Sequence, residues 1–176
     1  MGKYRDDYPQ LIANVSELDI ARLAAYIDGE GTIYINVATK LHLRMKNPQY
    51  RLSLVISNTD PRLMNWLKST FDGSIYHVKY ENCKHLGKKP IMRWQVNERM
   101  AEVLLRRTIP YMIMKKSQAE VGVSFMTLKK DRKGCPRNWK GQVMPVCLSE
   151  SEIAERHAMK LEIERLNKTI VTELVN

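Results

Sequence analysis

Two acidic residues near the end of one segment are the side chains of this sequence best placed for chemistry. The segment reads LAAYIDGEG at residues 23–31, with Asp28 and Glu30 on either side of Gly29. It predicts a helix that runs to about Asp28 and ends at the glycines, just as a strand begins. A carboxylate there faces the negative end of the helix dipole and needs a positive partner. A divalent cation is one candidate, since Mg²⁺ prefers oxygen ligands. The alternative is a solvated glutamate in a turn.

The segment at residues 23–31 resembles the signature of the LAGLIDADG homing endonucleases. It departs from that signature at four positions: Ala25 for Gly, Tyr26 for Leu, Gly29 for Ala and Glu30 for Asp. The order of elements over about residues 18–128 is also similar to the family's single-motif members. The resemblance implies an α+β fold of the αββαββα type, with a saddle of antiparallel strands over the DNA major groove. It implies an endonuclease that hydrolyses both strands of a long, near-palindromic duplex site with Mg²⁺ or Mn²⁺.

The resemblance also implies roles for individual residues. Glu30 would be a catalytic metal ligand, and the carbonyl of Gly29 a second ligand. Asn58 matches the family's polar residue that positions water, although an Asn before a helix is usually a cap. Lys115 matches the family's basic residue that stabilises the charged phosphorane, although a lysine is usually solvated. For Asp28, capping or bracing the partner helix ranks ahead of binding metal.

The sequence contains one such signature, because the helix expected at residues 115–128 lacks the acid-glycine ending. One acid in each chain implies a homodimer and a nearly palindromic target. Ala21 and Ala25 lie one turn apart, so this face of the helix lets another backbone approach closely. The residues expected at the dimer interface are Ala21, Ala24, Ala25 and Asp28.

Four segments alternate apolar and polar residues with the period of two that strands require. They span 32–38, 51–58, 74–80 and 91–96, and they predict two antiparallel hairpins. One face of each strand is expected to pack on the core. In the third strand, Tyr76, Val78 and Tyr80 are expected on the side opposite His77 and Lys79. We expect the polar side to contact DNA through Thr32, Tyr34, Asn36, Arg44, Arg51, Ser53, His77, Lys79, Arg93 and Gln95.

Capping signals predict where the helices begin. Ser16 resembles the start of a capping box, Asp60 precedes a proline at the first helical position, and Asn97 is expected to cap a further helix. We divide the chain into an endonuclease domain (1–130), a basic loop (131–148) and a C-terminal helix (149–176). The sequence leaves open whether that helix packs on the domain or is a free arm.

The charge distribution points to a polyanionic partner. The chain has 176 residues and a net charge of +10, with +8 concentrated in residues 32–58 and 73–97. An excess of this size favours nucleic acid. No apolar run is long enough to span a membrane, and no signal peptide is visible, so we expect an intracellular protein. Cys83, His85, Cys135 and Cys147 do not have the spacing of a zinc site.

Two other classes of function are compatible with parts of this pattern. Proteins of the same fold bind nucleic acid without cutting it, as intron maturases or transcriptional regulators. Members of that kind typically lose the acid, so the presence of Glu30 favours cleavage. A basic module that binds only proteins is hard to reconcile with the charge on the strand-bearing part.

Overall fold

The computed structural model describes residues 8–38, 48–78, 90–130 and 148–169. The helices are α1 (Tyr8–Ala13), α2 (Glu17–Glu30), α3 (Pro61–Phe71), α4 (Arg99–Thr108), α5 (Lys116–Lys130) and α6 (Glu150–Thr169), with a 3-10 helix at Ile109–Tyr111. The strands are β1 (Gly31–Ala38), β2 (Gln49–Asn58), β3 (Ser74–His77) and β4 (Met92–Asn97). The chain is therefore α+β, as the sequence predicts. The short helix α1 was not predicted; its Tyr8 hydroxyl donates to the Phe71 carbonyl at 2.6 Å.

The four strands form one antiparallel sheet in the order β1-β2-β4-β3. Both predicted pairs of strands are confirmed, and β2 joins them by pairing with β4. One side of the sheet carries the fully buried Ile33, Leu54 and Trp94, and the helices pack against it. We call the other side the open face. By register it comprises Thr32, Tyr34, Asn36, Ala38, Gln49, Arg51, Ser53, Val55, Ser57, Ser74, Tyr76, Arg93, Gln95 and Asn97.

The predicted side assignment of the third strand is wrong. Tyr76 pairs with Arg93 on the open face and is 52% exposed, whereas Ile75 pairs with Trp94 on the core side. His77 pairs with Met92 and therefore does not share the face of Arg93. The strand lies at the edge of the sheet, where cover is partial, and alternating tyrosines there are a weak guide to the buried side.

Two of the three predicted caps are present. The Ser16 hydroxyl accepts from the Asp19 amide, and the Asp60 carboxylate accepts from the Arg62 amide. The third prediction is wrong, because Glu98 directly precedes α4 and the Asn97 side chain lies on the open face. Glu98 has a φ of 54°, and its carboxylate is bound by Lys129 from α5.

The signature helix is longer than predicted, since α2 continues through Gly29 to Glu30. Gly31 then begins β1 in extended backbone, so the chain turns directly from helix to strand. A side chain at Gly31 would put its Cβ 2.6 Å from the Cα of Ile27. The chain needs glycine at this position, because no larger residue fits against the last turn.

The C-terminal helix packs on the rest of the chain instead of standing free. Ile163 of α6 is fully buried in the core, and Asn167 donates to the backbone carbonyl of Ile33 at 3.1 Å. Helix α6 thereby covers part of β1, which is an edge strand of the sheet. The basic loop predicted at residues 131–148 lies almost wholly outside the described residues. Within the described segments, no helix has the length and apolar character needed to span a membrane.

Candidate active site

Glu30 is the last residue of α2, and its side chain is exposed. The β1–β2 ladder begins at the Gly31–Ile56 pair, so the end of β2 lies beside the end of α2. Asn58, the last residue of β2, donates from Nδ2 to the Glu30 carboxylate at 2.5 Å. The Asn58 Oδ1 accepts from the Asp60 amide at 2.8 Å. Both ends of the Asn58 amide are thus engaged, and one holds the carboxylate predicted to do chemistry.

Asp28 is used by its own chain. It is 8% exposed, and its two carboxylate oxygens accept from the backbone amides of Ile113 and Lys115 at 2.7 and 2.9 Å. These bonds fix the segment that leads from the 3-10 helix into α5. Asp28 was expected to brace a partner helix, but in this structure it braces a segment of its own subunit.

Lys115 also lies at the end of α2. Its Nζ donates to the backbone carbonyls of Ile27 and Asp28 at 2.9 and 2.8 Å. Burial lowers the pKa of Lys115, and the nearby Asp28 charge offsets part of that effect. The ammonium supplies positive charge where the helix dipole is negative. The negative end of the α2 dipole therefore does not by itself require a metal cation, because the Lys115 ammonium already compensates its charge.

Arg62 is a further charged residue near this site that the sequence did not point out. Its guanidinium binds the Asp60 carboxylate, with a shortest distance of 2.6 Å. That contact lowers the pKa of Asp60 to about 2. The backbone amide of Asp60 is bonded to Asn58, so Arg62 is linked to Glu30 through two residues. The useful signal was the Asp-x-Arg spacing in the first turn of α3, immediately after the predicted Asn58.

The residues at the end of α2 provide an incomplete but suitable metal site. Exposed carboxylate and backbone carbonyl oxygens are the donors that Mg²⁺ and Mn²⁺ prefer. Among the described residues no group of three or more His, Cys, Asp or Glu side chains is close enough to hold a metal. Among the described residues, the donors available at this helix end are the Glu30 carboxylate and nearby backbone carbonyls, and water or phosphate oxygens would complete the coordination of the metal.

The outward side of α2 is uncovered. Leu18 is 61% exposed, and small residues follow it along the same side, where Ala25 and Gly29 are exposed and Ala21 is half-buried. The segment held by Asp28 lies alongside and exposes Ile113 (88%) and Met114. We call this group the α2 patch: Leu18, Ala21, Ala25, Gly29, Ile113 and Met114.

Two of the four residues predicted for the dimer interface lie elsewhere. Ala24 is fully buried in the core of its own subunit, and Asp28 is engaged as described above. The prediction that Ala24 lies at the interface was wrong, because the small residues of α2 occur on two different sides of the helix. The Ala21–Ala25–Gly29 side faces outward, whereas Ala24 follows Ile20 and precedes Ile27 on the packed side.

The predicted DNA-contacting residues are distributed unevenly. Seven of them lie on the open face, namely Thr32, Tyr34, Asn36, Arg51, Ser53, Arg93 and Gln95. Ser53 is only 3% exposed, however, and its hydroxyl bonds to Asn97. His77 lies on the other side of the sheet, and Arg44 and Lys79 are outside the described residues. Tyr76 and Asn97 are exposed on the open face and were missed.

Comparison with known proteins places this geometry in a structural class. No protein-family model and no curated protein matches the sequence. Among solved structures, homing endonuclease I-CvuI in complex with its target is similar at a TM-score of 0.63 and 16% identity, over 85% of this chain and 82% of that one. The archaeal intron-encoded homing endonuclease I-Vdi141I, complexed with DNA, gives 0.63 and 11% over 85% and 84%. The LAGLIDADG homing endonuclease I-GzeII, in complex with a DNA target, gives 0.54 and 14% over 85% and 44%.

The chain thus has the fold of the LAGLIDADG homing endonucleases. The resemblance predicted from residues 23–31 is confirmed at the level of the fold. The signature helix corresponds to α2, and its acidic end is the site built from Glu30, Asn58 and Lys115.

Proposed function

We propose that this protein is a homodimeric, site-specific endonuclease that hydrolyses both strands of a near-palindromic DNA duplex with a divalent metal. The observation that carries the proposal is the exposed Glu30 at the end of α2, held by Asn58. Lys115 places positive charge at the same helix end. Carboxylate, polar amide and ammonium groups together suit hydrolysis of a phosphodiester.

Duplex DNA is the partner that the open face fits best. The sheet presents exposed arginine and amide side chains on this face, among them Arg51, Arg93 and Asn36. Arginine and amide groups are the side chains that most often read base edges in the major groove. The net charge of +10 favours binding to phosphates at any sequence. The similar solved structures are complexes with DNA, which supports the same partner here. A genomic target would place the protein inside a cell.

The residues at the end of α2 would divide the chemistry among them. Glu30 and the carbonyl of Gly29 would hold Mg²⁺ or Mn²⁺, which activates water and neutralises phosphate charge when bound. Asn58 orients the Glu30 carboxylate through its Nδ2. Lys115 adds positive charge where negative charge builds up on the phosphate. One structure similar to this chain was obtained with Ca and another with Mg, which supports a divalent cation.

The homodimer is supported by the α2 patch. The patch combines small residues, which permit close helix packing, with exposed apolar side chains next to them. A two-fold axis through the α2 patch would bring two copies of Glu30 close together, where both would contribute to metal binding.

The decisive experiment compares cleavage with binding in a Glu30→Gln variant. Duplexes captured from a randomised library in EDTA are incubated with Mg²⁺ and wild-type protein, and the double-strand cleavage rate is measured. Glu30→Gln keeps the shape of the side chain but removes its charge. We expect cleavage to fall by about 1,000-fold or more, because metal stabilisation is worth several kcal/mol. Affinity for the duplex should be unchanged or slightly higher, since binding depends on phosphate contacts elsewhere.

The matched control is Glu155→Gln, which removes an exposed carboxylate from α6. It should leave both cleavage and binding at the wild-type level. Cleavage by Glu30→Gln at the wild-type rate would refute the catalytic assignment. Binding without cleavage by the wild type in Mg²⁺ and in Mn²⁺ would instead identify a DNA-binding protein that does not cut, such as a maturase or regulator.

A further inference from the structure

A groove runs between α2 and α3, beside the candidate active site. It has a volume of about 370 Å³ and is lined by Arg22, Tyr26, Asp60, Arg62, Leu63 and Trp66. The Tyr26 and Trp66 rings pack together with 5.8 Å between their centroids, and both side chains remain partly exposed. We call this feature the α2–α3 groove.

The charges in the α2–α3 groove favour an apolar occupant over an anion. Arg62 is paired with Asp60 at 2.6 Å, and Arg22 is paired with Asp19 at 3.5 Å. Each arginine is thus neutralised by an aspartate of its own chain, and the rest of the lining is aromatic and aliphatic. Exposed apolar surface with a polar rim is typical of a contact with another protein.

The segment that precedes α5 exposes two large apolar side chains. Ile113 is 88% exposed, the highest value for a large apolar residue in the described part of the chain, and Met114 is 54% exposed. The Asp28 carboxylate accepts from the backbone amides of Ile113 and Lys115, so the backbone on both sides of Met114 is fixed. We call these two residues the 113–114 segment. It is held in place as an apolar projection.

The groove and the 113–114 segment lie on opposite sides of the outward face of α2. At about 100° per residue, Tyr26 points about 100° to one side of Ala25, and Asp28 points about 60° to the other side. Tyr26 contacts Trp66 in the groove, whereas Asp28 holds Ile113. Tyr26 and Asp28 are two residues apart, so these two contacts lie only about 3 Å apart along the helix axis.

The direction of a two-fold axis decides which sides of two copies meet. Antiparallel α2 helices that cross at Ala25 would place their Glu30 positions about 15 Å apart along the helix axis. Two Glu30 side chains come close together only if the helices are parallel, and the two-fold axis is then parallel to α2. Rotation by 180° about that axis keeps each level of the helix unchanged and puts each side of one helix against the opposite side of its partner.

We propose that the α2–α3 groove is the docking site for the 113–114 segment of a second copy of this chain. The inference rests on the proposed function, because the direction of the axis follows from the approach of two Glu30 side chains. It extends the interface beyond the small residues of α2 to α3 and to the segment before α5. By symmetry the contact occurs twice, once on each side of the paired helices.

The test places opposite charges on the two sides of the contact. Ile113→Lys changes the segment, and Tyr26→Glu changes the groove. In a homodimer of either variant, a charge faces an apolar surface at both contacts. We expect self-association of each variant, measured by sedimentation, to weaken by about 100-fold or more, since a charge buried without a partner is costly.

An equimolar mixture of the two variants should restore dimers. In the heterodimer one contact pairs the new lysine with the new glutamate, and the other retains the native Ile113 and Tyr26. We expect its affinity to lie within about tenfold of the wild-type value. Leu161→Lys is the control, because it puts the same charge on an exposed apolar residue of α6, and it should dimerise as the wild type does. Near-UV circular dichroism verifies each fold, and Arg22→Glu replaces Tyr26→Glu if the latter is unfolded.

The outcomes separate this inference from the proposed function. A wild type that is monomeric at high concentration would overturn the homodimer itself. A wild-type dimer that persists in both Ile113→Lys and Tyr26→Glu would overturn only the docking of the 113–114 segment. Folded variants that lose the dimer and do not recover it when mixed would show that the two sides do not meet. An intact Tyr26→Glu dimer with a uniform loss of DNA affinity would show that the groove contacts phosphate. Both of these results would also overturn the inference.

Discussion

The inward and outward sides of α2 are built from neighbouring residues of the same types, yet they differ in what they contact. Ala24 is fully buried in the core, whereas Ala25 is exposed. Asp28 has both oxygens bonded to backbone amides of its own chain, whereas Glu30 is exposed and held by one side chain. One side of the helix therefore stabilises the subunit, and the other is exposed and is the side on which we propose assembly and chemistry. Matched substitutions on the two sides should therefore have separable effects.

The largest expected effect is on assembly, from Ala25→Leu. A leucine in the small-residue side of α2 prevents close approach of a second helix, so the variant should be a folded monomer that no longer cleaves DNA. Sedimentation measures the oligomeric state, and near-UV circular dichroism verifies the fold. Ala24→Leu is the matched variant on the inward side. It overpacks the core and should lower the free energy of unfolding by about 1–3 kcal/mol.

Two results would contradict the proposed role of the outward side of α2 in dimer formation. A wild-type protein that is monomeric at high concentration without DNA is incompatible with the proposed homodimer. An intact dimer of Ala25→Leu would show that the contact between subunits lies elsewhere than the α2 patch.

A smaller effect is expected on the free energy of unfolding when Asp28 and Glu30 are substituted in turn. Asp28→Asn should lower the free energy of unfolding by about 3 kcal/mol, because it removes one of the two charge-assisted hydrogen bonds to backbone amides, places an NH₂ group against that donor and weakens the other bond. Glu30→Gln changes an exposed residue and should stay within about 0.5 kcal/mol of the wild type. Urea denaturation monitored by tryptophan fluorescence measures both values. Equal destabilisation by the two variants would mean that Glu30 also has a structural role.

Much of the fold could be predicted from local signals. Ser16 and Asp60 are real caps, and the alternation in β1, β2 and β4 identifies the buried side correctly. These signals work because they depend on neighbours in sequence. The third strand was assigned to the wrong side because its burial depends on its edge position in the sheet, which alternation does not encode.

The site was predictable only in part, for a related reason. The signature segment identified Glu30 and Asp28, but their different environments arise from contacts far apart in sequence, such as Asp28 with Ile113. The hydrogen bond between Ser53 and Asn97 depends on the register between β2 and β4, which places these residues opposite each other. Register is a tertiary property, so Asn97 was expected to be a helix cap instead.

The smallest effect should come from substituting Lys115, which contributes both to the stability of α2 and to the charge near Glu30. Its ammonium binds the last carbonyls of α2 and adds charge near Glu30. Lys115→Met removes that charge at similar length. We expect cleavage to fall by about 100-fold, the lower end of what loss of one preorganised donor costs. That loss is smaller than for Glu30→Gln, because Lys115 holds no metal. A loss as large as that of Glu30→Gln would contradict this ranking.

The pH dependence of Lys115 gives a second measurement. Burial lowers the pKa of Lys115, so the ammonium is lost at a lower pH than that of an exposed lysine. Cleavage should therefore decline on the alkaline side before the usual lysine pKa of about 10.4 is reached, and Lys115→Arg should move that decline upward. Between the lowered pKa of Lys115 in the folded chain and its ordinary pKa in the unfolded chain, the unfolded chain binds more protons than the folded chain. This group's contribution to stability therefore rises with pH in that window, and the rise is absent in Lys115→Met. An alkaline decline of cleavage that is unchanged in Lys115→Arg would show that another group limits the rate.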